Sequence, residues 1–291
     1  MAKNILITGA NGQLGLALRK SFANNLNYNL FATDIADLDV CNTKEVELFI
    51  ATNSIDIVVN CAAYTAVDNA EDNCDAAKKL NAVAVEYLAQ GAKKQGAKLI
   101  QISTDYVFDG HNYQPYKEND PTNPTSVYGV TKLEGETLAT NTLGNDCLII
   151  RTSWLYSENG NNFVKTMLKL GETRNSLSVV CDQIGTPTYA SDLADAIVEI
   201  IAHDRWVAGV YHFSNEGACS WYDFTKSIHR IAGITNCVVS PISSNDYPAK
   251  APRPFYSVLD KTKIKTTFEI AISHWEESLV KCISNLKETK Q

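Results

Sequence analysis

The chain has 291 residues, 45% of them hydrophobic and 20% charged, with a formal net charge of −7. That length supports one large α/β domain or a cofactor domain with a smaller companion, and the acidic balance argues against a nucleic-acid surface while leaving room for a local positive pocket. No apolar run reaches membrane-spanning length, and Met1-Ala2-Lys3-Asn4 does not open a signal peptide, so a cytoplasmic protein is expected.

Asn4 to Thr8 is a short apolar run suited to a buried parallel strand. Gly9-Ala10-Asn11-Gly12-Gln13-Leu14-Gly15 follows, and then a helical pattern to about Asn24. Strand, glycine turn and helix together present backbone N–H groups and a helix N-terminus to a pyrophosphate. The glycines read G-x-x-G-x-x-G, a first turn one residue wider than in the G-x-G-x-x-G fingerprint; the plain alternative is a turn that only permits tight packing. Leu30 to Thr33 forms a second strand ending at Asp34. An acidic side chain there is placed to bind adenosine ribose hydroxyls, favouring NADH over a 2′-phosphorylated cofactor, although a solvated loop aspartate would look the same. Asp39 and Val40 are positioned to flank an adenine.

Residues 44–53 read as a helix and Asp56 to Ala63 as a third buried strand, which leaves through Ala62, Ala63 and Tyr64. Small side chains at a strand's carboxyl end let a cofactor approach the backbone. Helical stretches then run to about Lys94, and Asn81 within them is expected to face solvent. Lys98 to Ser103 is a fourth strand, which puts Thr104 on the same rim as Gly9 and Ala62. Four successive β-α units imply right-handed crossovers and a doubly wound parallel sheet.

Gly110 to Pro124 reads as a loop over that rim, and Ser126 as the N-cap of the next helix. Tyr128 and Lys132 stand at i and i+4 on it, so an ammonium can lie near a phenol and lower a pKa that starts at about 10. Thr104 could add a hydrogen bond to the oxygen that receives the proton. Such pairs are common on solvated helix faces; the position on the rim is what points to acid chemistry.

Leu148 to Thr152 is a fifth strand. Beyond it the pattern loosens into a helix at Asn162 to Leu170, a strand at Leu177 to Cys181, a helix at Ala190 to His203, a strand at Val210 to Phe213 returning to the main sheet, and a closing helix from about His274 to Leu286. The expected division is a dinucleotide-binding unit of residues 1–152 plus about 190–215, and a smaller C-terminal substrate lobe of about 153–189 plus 216–291. Eight cysteines without C-x-x-C spacing and five histidines without ligand spacing predict neither a disulfide framework nor a metal site.

The Gly9, Gly12, Gly15 turn, Asn60 to Asp68, Ser103 to Gly110, Tyr128-x-x-x-Lys132, Arg151-Thr152-Ser153-Trp154, Asp182-Gln183-x-Gly185-x-Pro187-Thr188 and Arg253-Pro254-x-x-Ser257 occur in that order. Together they resemble the dTDP-4-dehydrorhamnose reductase family of the extended short-chain dehydrogenase/reductase superfamily, from Ile5 to about Leu259. The resemblance implies a Rossmann-like fold and reduction by NADPH or NADH of the C4 keto group of dTDP-4-dehydro-L-rhamnose, a dTDP-linked 4-keto-6-deoxy sugar. Tyr128 would donate the proton, Thr104 would hold the carbonyl oxygen, and Lys132 would lower the Tyr128 pKa and bind the nicotinamide ribose.

The family further implies that Val67, Asp105 and Trp154 contact the sugar and that Gln183 and Arg253 belong to the substrate lobe; Trp154 reads equally well as a packing aromatic. Some members bridge a dimer through Mg²⁺ held by glutamates. Ala17 and Ser191 stand at two of those positions, so a monomer or a dimer without a bridging metal is expected. Four rivals share the fold. A 4,6-dehydratase commonly has Asp-Glu after the threonine, where this chain has Asp105-Tyr106. An epimerase or another nucleotide-sugar reductase needs only the Tyr and Lys. A non-catalytic subunit resembling the regulatory subunit of methionine adenosyltransferase would keep the nucleotide fold without turnover.

Overall fold

The apolar runs read from the sequence become the strands of one sheet. In the computed structural model, which describes residues 2–23 and 25–288, β1 (Lys3–Thr8) leads through the glycine turn into α1 (Gln13–Phe22), followed by β2 (Tyr28–Thr33), α2 (Thr43–Thr52) and β3 (Ile57–Asn60). Asn24, where the first helix is expected to end, lies outside the described residues, as do Met1 and 289–291 at the ends of the expected units. Two short helices, α3 (Val67–Ala70) and α4 (Cys74–Lys78), and a π turn (Lys79–Val83) precede α5 (Ala84–Gln95). Then come β4 (Lys98–Thr104), α6 (Val127–Leu143) and β5 (Cys147–Thr152).

The second half opens with β6 (Leu155–Tyr156), α7 (Phe163–Thr173), β7 (Ser176–Val180), β8 (Ile184–Gly185), β9 (Thr188–Tyr189) and α8 (Ala190–Ala202). It closes with β10 (Gly209–His212), β11 (Cys219–Ser220), α9 (Trp221–Ala232), β12 (Val238–Ile242), α10 (Thr262–Phe268) and α11 (Trp275–Glu288).

The main sheet is six-stranded and parallel, in the order β10-β5-β4-β3-β1-β2. The fold is therefore α/β with a doubly wound parallel sheet. Successive strands run outward in opposite directions from β1 and β3, so the loops leaving those two strands diverge and open a crevice at the carboxyl edge. Every residue of β3 and β5 is buried, as strands covered on both faces must be. One core gathers Ile5, Ile7, Leu18, Leu148, Leu193 and Ile197 beneath α1 and α8. The other gathers Leu6, Val58, Leu88, Leu99 and Ile149 beneath α2, α5 and α6. Each such side chain contributes on the order of 1.5–3 kcal/mol on burial, which fixes the rim to which the loops are attached.

A third apolar cluster, around Tyr156, Val164, Phe224, Ile228, Trp275 and Leu279, joins α7, α9 and α11. Small pairings of β7 with β12, β8 with β11 and β6 with β9 surround it. The sequence reading leaves α9 undivided from mixed short elements, yet it carries its own start signal. Ser220 Oγ accepts from the Asp223 N–H while the Asp223 carboxylate accepts from the Ser220 N–H, a complete capping box. β12 offers no such signal, because Ser240 and Pro241 interrupt its apolar residues. Among the described residues no helix is long and apolar enough to cross a membrane.

Candidate active site

Side chains at the ends of β1, β3 and β4 form a buried ladder. Thr8 Oγ1 donates to Asn60 Oδ1 at 2.6 Å, and Asn60 Nδ2 donates to Gln101 Oε1 at 2.7 Å. The same Asn60 oxygen accepts the Ala62 N–H at 3.1 Å. This locks the loop after β3 against the glycine turn after β1. Gly9 has φ of +62°, and a Cβ there would lie 2.8 Å from the Ala62 nitrogen, so glycine satisfies both the backbone conformation and the approach. Gly12 is the N-cap of α1 and supplies no capping side chain, which leaves the first-turn N–H groups to an anion. A Cβ on Gly15 would collide with the Gly9 carbonyl and Ala10. The cradle fits a diphosphate.

Asp34 is half-buried at the end of β2. Its Oδ2 accepts the Asn11 N–H at 3.1 Å and its Oδ1 the Ile35 N–H at 2.9 Å, tying the end of β2 to the glycine turn.

The opposite wall comes from β4 and α6. Ser126 caps α6, accepting the Gly129 N–H at 3.2 Å, and Glu71 Oε1 takes the Val127 N–H at 2.9 Å. The first turn is thereby fixed, and with it Tyr128, whose ring meets Tyr106 edge to face at 5.4 Å. Thr104 Oγ1 donates to Asp105 Oδ1 at 3.0 Å and accepts the Tyr106 N–H at 3.2 Å. Lys132 is buried, and its ammonium donates to the Ile102 carbonyl at 2.6 Å.

These surroundings move the titratable groups. Part of the Tyr128 side chain faces the cavity, yet desolvation pushes the phenol up to about 12, against a lowering hydrogen bond with Thr104, and Asp105 adds to the rise. Burial sets the direction of the Tyr128 shift, opposite to the lowering expected from the spacing, while the Lys132 ammonium is engaged with Ile102. Burial pulls Lys132 down to about 8, opposed by Glu136 and then Cys61. Burial likewise raises Asp105 to about 6, against the lowering effect of the Ser257 and Thr104 hydroxyls. Neither Asp105 Oδ2 nor Ser257 Oγ reaches hydrogen-bond geometry with any partner among the described residues.

A cavity of about 550 Å³ joins the two walls. Of the expected site residues it brings together Gly9, Gly12, Gln13, Leu14, Gly15 and Ala63 with Val67, Thr104, Asp105, Tyr128, Lys132 and Trp154. It does not reach the others. Val40 packs into the core beside Leu6, and Asp39 accepts the Cys41 N–H. Asn11, Asp34 and Ala62 shape the turn from behind, while the Tyr64 backbone is held by Asn81. The Gln183 amide donates to Ser244 Oγ at 2.9 Å, and Arg253 pairs with Asp68 at 2.8 Å beside the cavity. Trp154 lines the cavity and stacks on Trp221 at 3.5 Å.

Four residues take places that the sequence did not assign to them. Asn81, expected in solvent, is 1% exposed; the π turn swings it inward, where its amide bonds both backbone groups of Tyr64 and the Thr131 hydroxyl. Trp221 lines the cavity from the start of α9. Glu136 and Arg151 form a buried pair behind Lys132. A charged residue inside an otherwise apolar strand needs a partner, and that was the available signal for Arg151.

The chain matches the model of the RmlD substrate binding domain over residues 3–288. It is 43% identical over 284 residues to dTDP-4-dehydrorhamnose reductase of Aggregatibacter actinomycetemcomitans, covering 94% of this chain and 96% of that one. It is 42% identical over 275 residues to the spore coat polysaccharide biosynthesis protein SpsK of Bacillus subtilis, covering 94% and 95%. The crystal structure of dTDP-4-dehydrorhamnose reductase from Bacillus anthracis in complex with NADP superimposes with a TM-score of 0.94 at 39% identity, covering 98% of this chain and 100% of that one. Similarity of that depth along the whole chain places it: the protein belongs to the RmlD substrate binding domain family and is an oxidoreductase of the dTDP-4-dehydrorhamnose reductase type.

Proposed function

We propose that this enzyme reduces the C4 keto group of dTDP-4-dehydro-L-rhamnose to give dTDP-L-rhamnose, with Tyr128 as general acid. The observation that carries the reading is one continuous cavity running from the glycine cradle to Thr104, Tyr128 and Lys132. NADPH or NADH held on the cradle supplies the hydride. Thr104 orients the carbonyl oxygen, and Tyr128, kept protonated by its raised pKa, delivers the proton to it. The transfer stays downhill, because an alkoxide is far more basic than a phenolate. Lys132 then compensates the phenolate from one turn away and binds the nicotinamide ribose. Val67, Asp105 and Trp154 wall the sugar end, and Gln183 and Arg253 order the lobe around it.

Tyr106 in place of a second carboxylate after Asp105 supports reduction over elimination of water, since its ring packs on Tyr128 and offers no base. An acidic side chain at the end of β2, here Asp34, would repel a 2′-phosphate, which supports use of NADH alongside NADPH. We assign residues 1–152 with about 190–215 to the cofactor unit and the remainder to the substrate lobe. A monomer, or a dimer without a bridging metal, follows from Ala17 and Ser191, neither of which can ligate a hard cation through a carboxylate. A cytoplasmic location agrees with the use of a reduced nicotinamide cofactor and free thiols.

The test is to supply dTDP-4-dehydro-L-rhamnose with NADPH and with NADH, follow cofactor oxidation and identify the product. Oxidation with formation of dTDP-L-rhamnose is expected. Tight nucleotide binding with no oxidation would favour the non-catalytic subunit instead.

A further inference from the structure

Tyr128, Lys132 and Glu136 succeed one another at one-turn intervals on the face of α6 that meets β4 and β5. Glu136 is 5% exposed and Arg151 4%. The carboxylate accepts from Arg151 Nε at 2.9 Å and Nη2 at 2.7 Å, and from the Ser103 hydroxyl. Ser103 and Arg151 are register partners across β4 and β5, so three elements close on this one carboxylate. Arg151 also lies over the Phe108 ring at 5.1 Å. A buried ion pair is a poor source of stability, since apolar side chains of similar volume usually do as well. Its place directly behind the reacting pair calls for another explanation.

We infer that Glu136, clamped by Arg151 and Ser103, is a positioning residue that keeps Lys132 protonated and seated at the carboxyl end of β4 during reduction. The inference rests on the proposed role of Tyr128 as general acid. Two buried cations, Lys132 and Arg151, flank one buried anion, Glu136, so these three groups carry one net positive charge, which the Asp105 carboxylate beside Tyr128 opposes. Proton delivery turns Tyr128 into a phenolate, the state that this positive charge favours. Without Glu136 the same space would hold two uncompensated cations, and Lys132 is the one that can shed a proton. The groups that act on Lys132 are Cys61 just after β3, the Ile102 carbonyl of β4 and Glu136 of its own helix, with Tyr128 one turn before it on that helix; Arg151 of β5 reaches it through Glu136. Glu136 leads the groups that hold the ammonium up against burial.

The experiment compares wild type with Glu136→Gln, Glu136→Asp and the paired Glu136→Gln/Arg151→Met, which removes both charges and guards against misfolding of the single variant. Kinetic constants for reduction of dTDP-4-dehydro-L-rhamnose are measured against pH, and the midpoint of the Lys132 ammonium is followed by NMR of ¹³C-labelled lysine, assigned with Lys132→Met. Wild-type kcat is expected to fall as pH rises through the Lys132 midpoint. In Glu136→Gln that fall should move about one unit or more to lower pH, so that kcat near pH 8 drops roughly fivefold or more while KM for the sugar nucleotide changes little; in the paired variant, which keeps the wild-type net charge, the move should be smaller. Glu136→Asp should restore the wild-type profile. A folded Gln variant with an unmoved pH profile and an unmoved NMR midpoint would overturn the inference, as would kcat and KM falling together at all pH values. A wild type that reduces no sugar defeats the functional reading instead, and the NMR midpoint alone then decides the role of Glu136.

Discussion

Lys132 donates to the Ile102 carbonyl at 2.6 Å, so the ammonium behind Tyr128 is anchored to the strand that carries Thr104 and not to the phenol itself. The arrangement joins α6 to β4, the two elements of one wall of the site, at a cost in stability that can be measured. The Lys132 pKa falls from the usual 10.5 to about 8 on folding. Between those values the unfolded chain binds more protons than the folded one. Stability from this group is therefore greatest above pH 10.5 and is lost as pH falls through 8. Lys132→Met should raise the unfolding free energy at pH 7 by on the order of 1–3 kcal/mol, while abolishing most activity. Chemical denaturation at pH 7 and above pH 10 checks it: the gain should shrink at the higher pH, and a less stable variant at pH 7 would contradict the assignment.

Gly135 lies against the Asn81 carbonyl, where a Cβ would collide with the backbone of the π turn. Since Asn81 in turn holds Tyr64 and Thr131, Gly135→Ala should shift α6 and lower both properties at once. The expected loss is about 1–3 kcal/mol of stability, accompanied by reduced turnover. Gly96 is the control. It ends α5 at φ of +72° with nothing near its missing Cβ, so Gly96→Ala should cost roughly 1 kcal/mol through backbone strain and leave kcat unchanged. Thermal melts and steady-state kinetics on both variants separate the two effects.

The Asp68 carboxylate joins α3 to the segment after β12, taking the Ala251 N–H at 2.9 Å and Arg253 Nη2 at 2.8 Å. Both side chains of the ion pair retain some exposure, so its contribution to stability is small, about 1 kcal/mol or less. Its effect should be seen in binding: Asp68→Ala frees the segment before Ser257 and is expected to raise KM for the sugar nucleotide about tenfold with kcat changed less. Equal KM in variant and wild type would show that the latch does not order the substrate lobe.

The main sheet was legible because its strands are continuous apolar runs, and the rim residues followed from where those runs end. What stayed hidden depends on tertiary packing. No local pattern announces that the π turn rotates Asn81 inward, and Trp221 reaches the cavity only because α9 folds back onto Trp154. Glu136 could have been read one turn beyond Lys132, but helix spacing alone does not distinguish a buried face from a wet one. The raised Tyr128 pKa was missed for a related reason: an i, i+4 spacing gives proximity, whereas desolvation and the competing Ile102 carbonyl decide its consequence.

The central claim is that Tyr128 gives the proton. Steady-state reduction of dTDP-4-dehydro-L-rhamnose by NADPH, compared between wild type and Tyr128→Phe with circular dichroism confirming the fold, tests it most directly. A fall in kcat on the order of 10²-fold or more, with NADPH binding retained, is the predicted result. Reduction at the wild-type rate by the phenylalanine variant would contradict it.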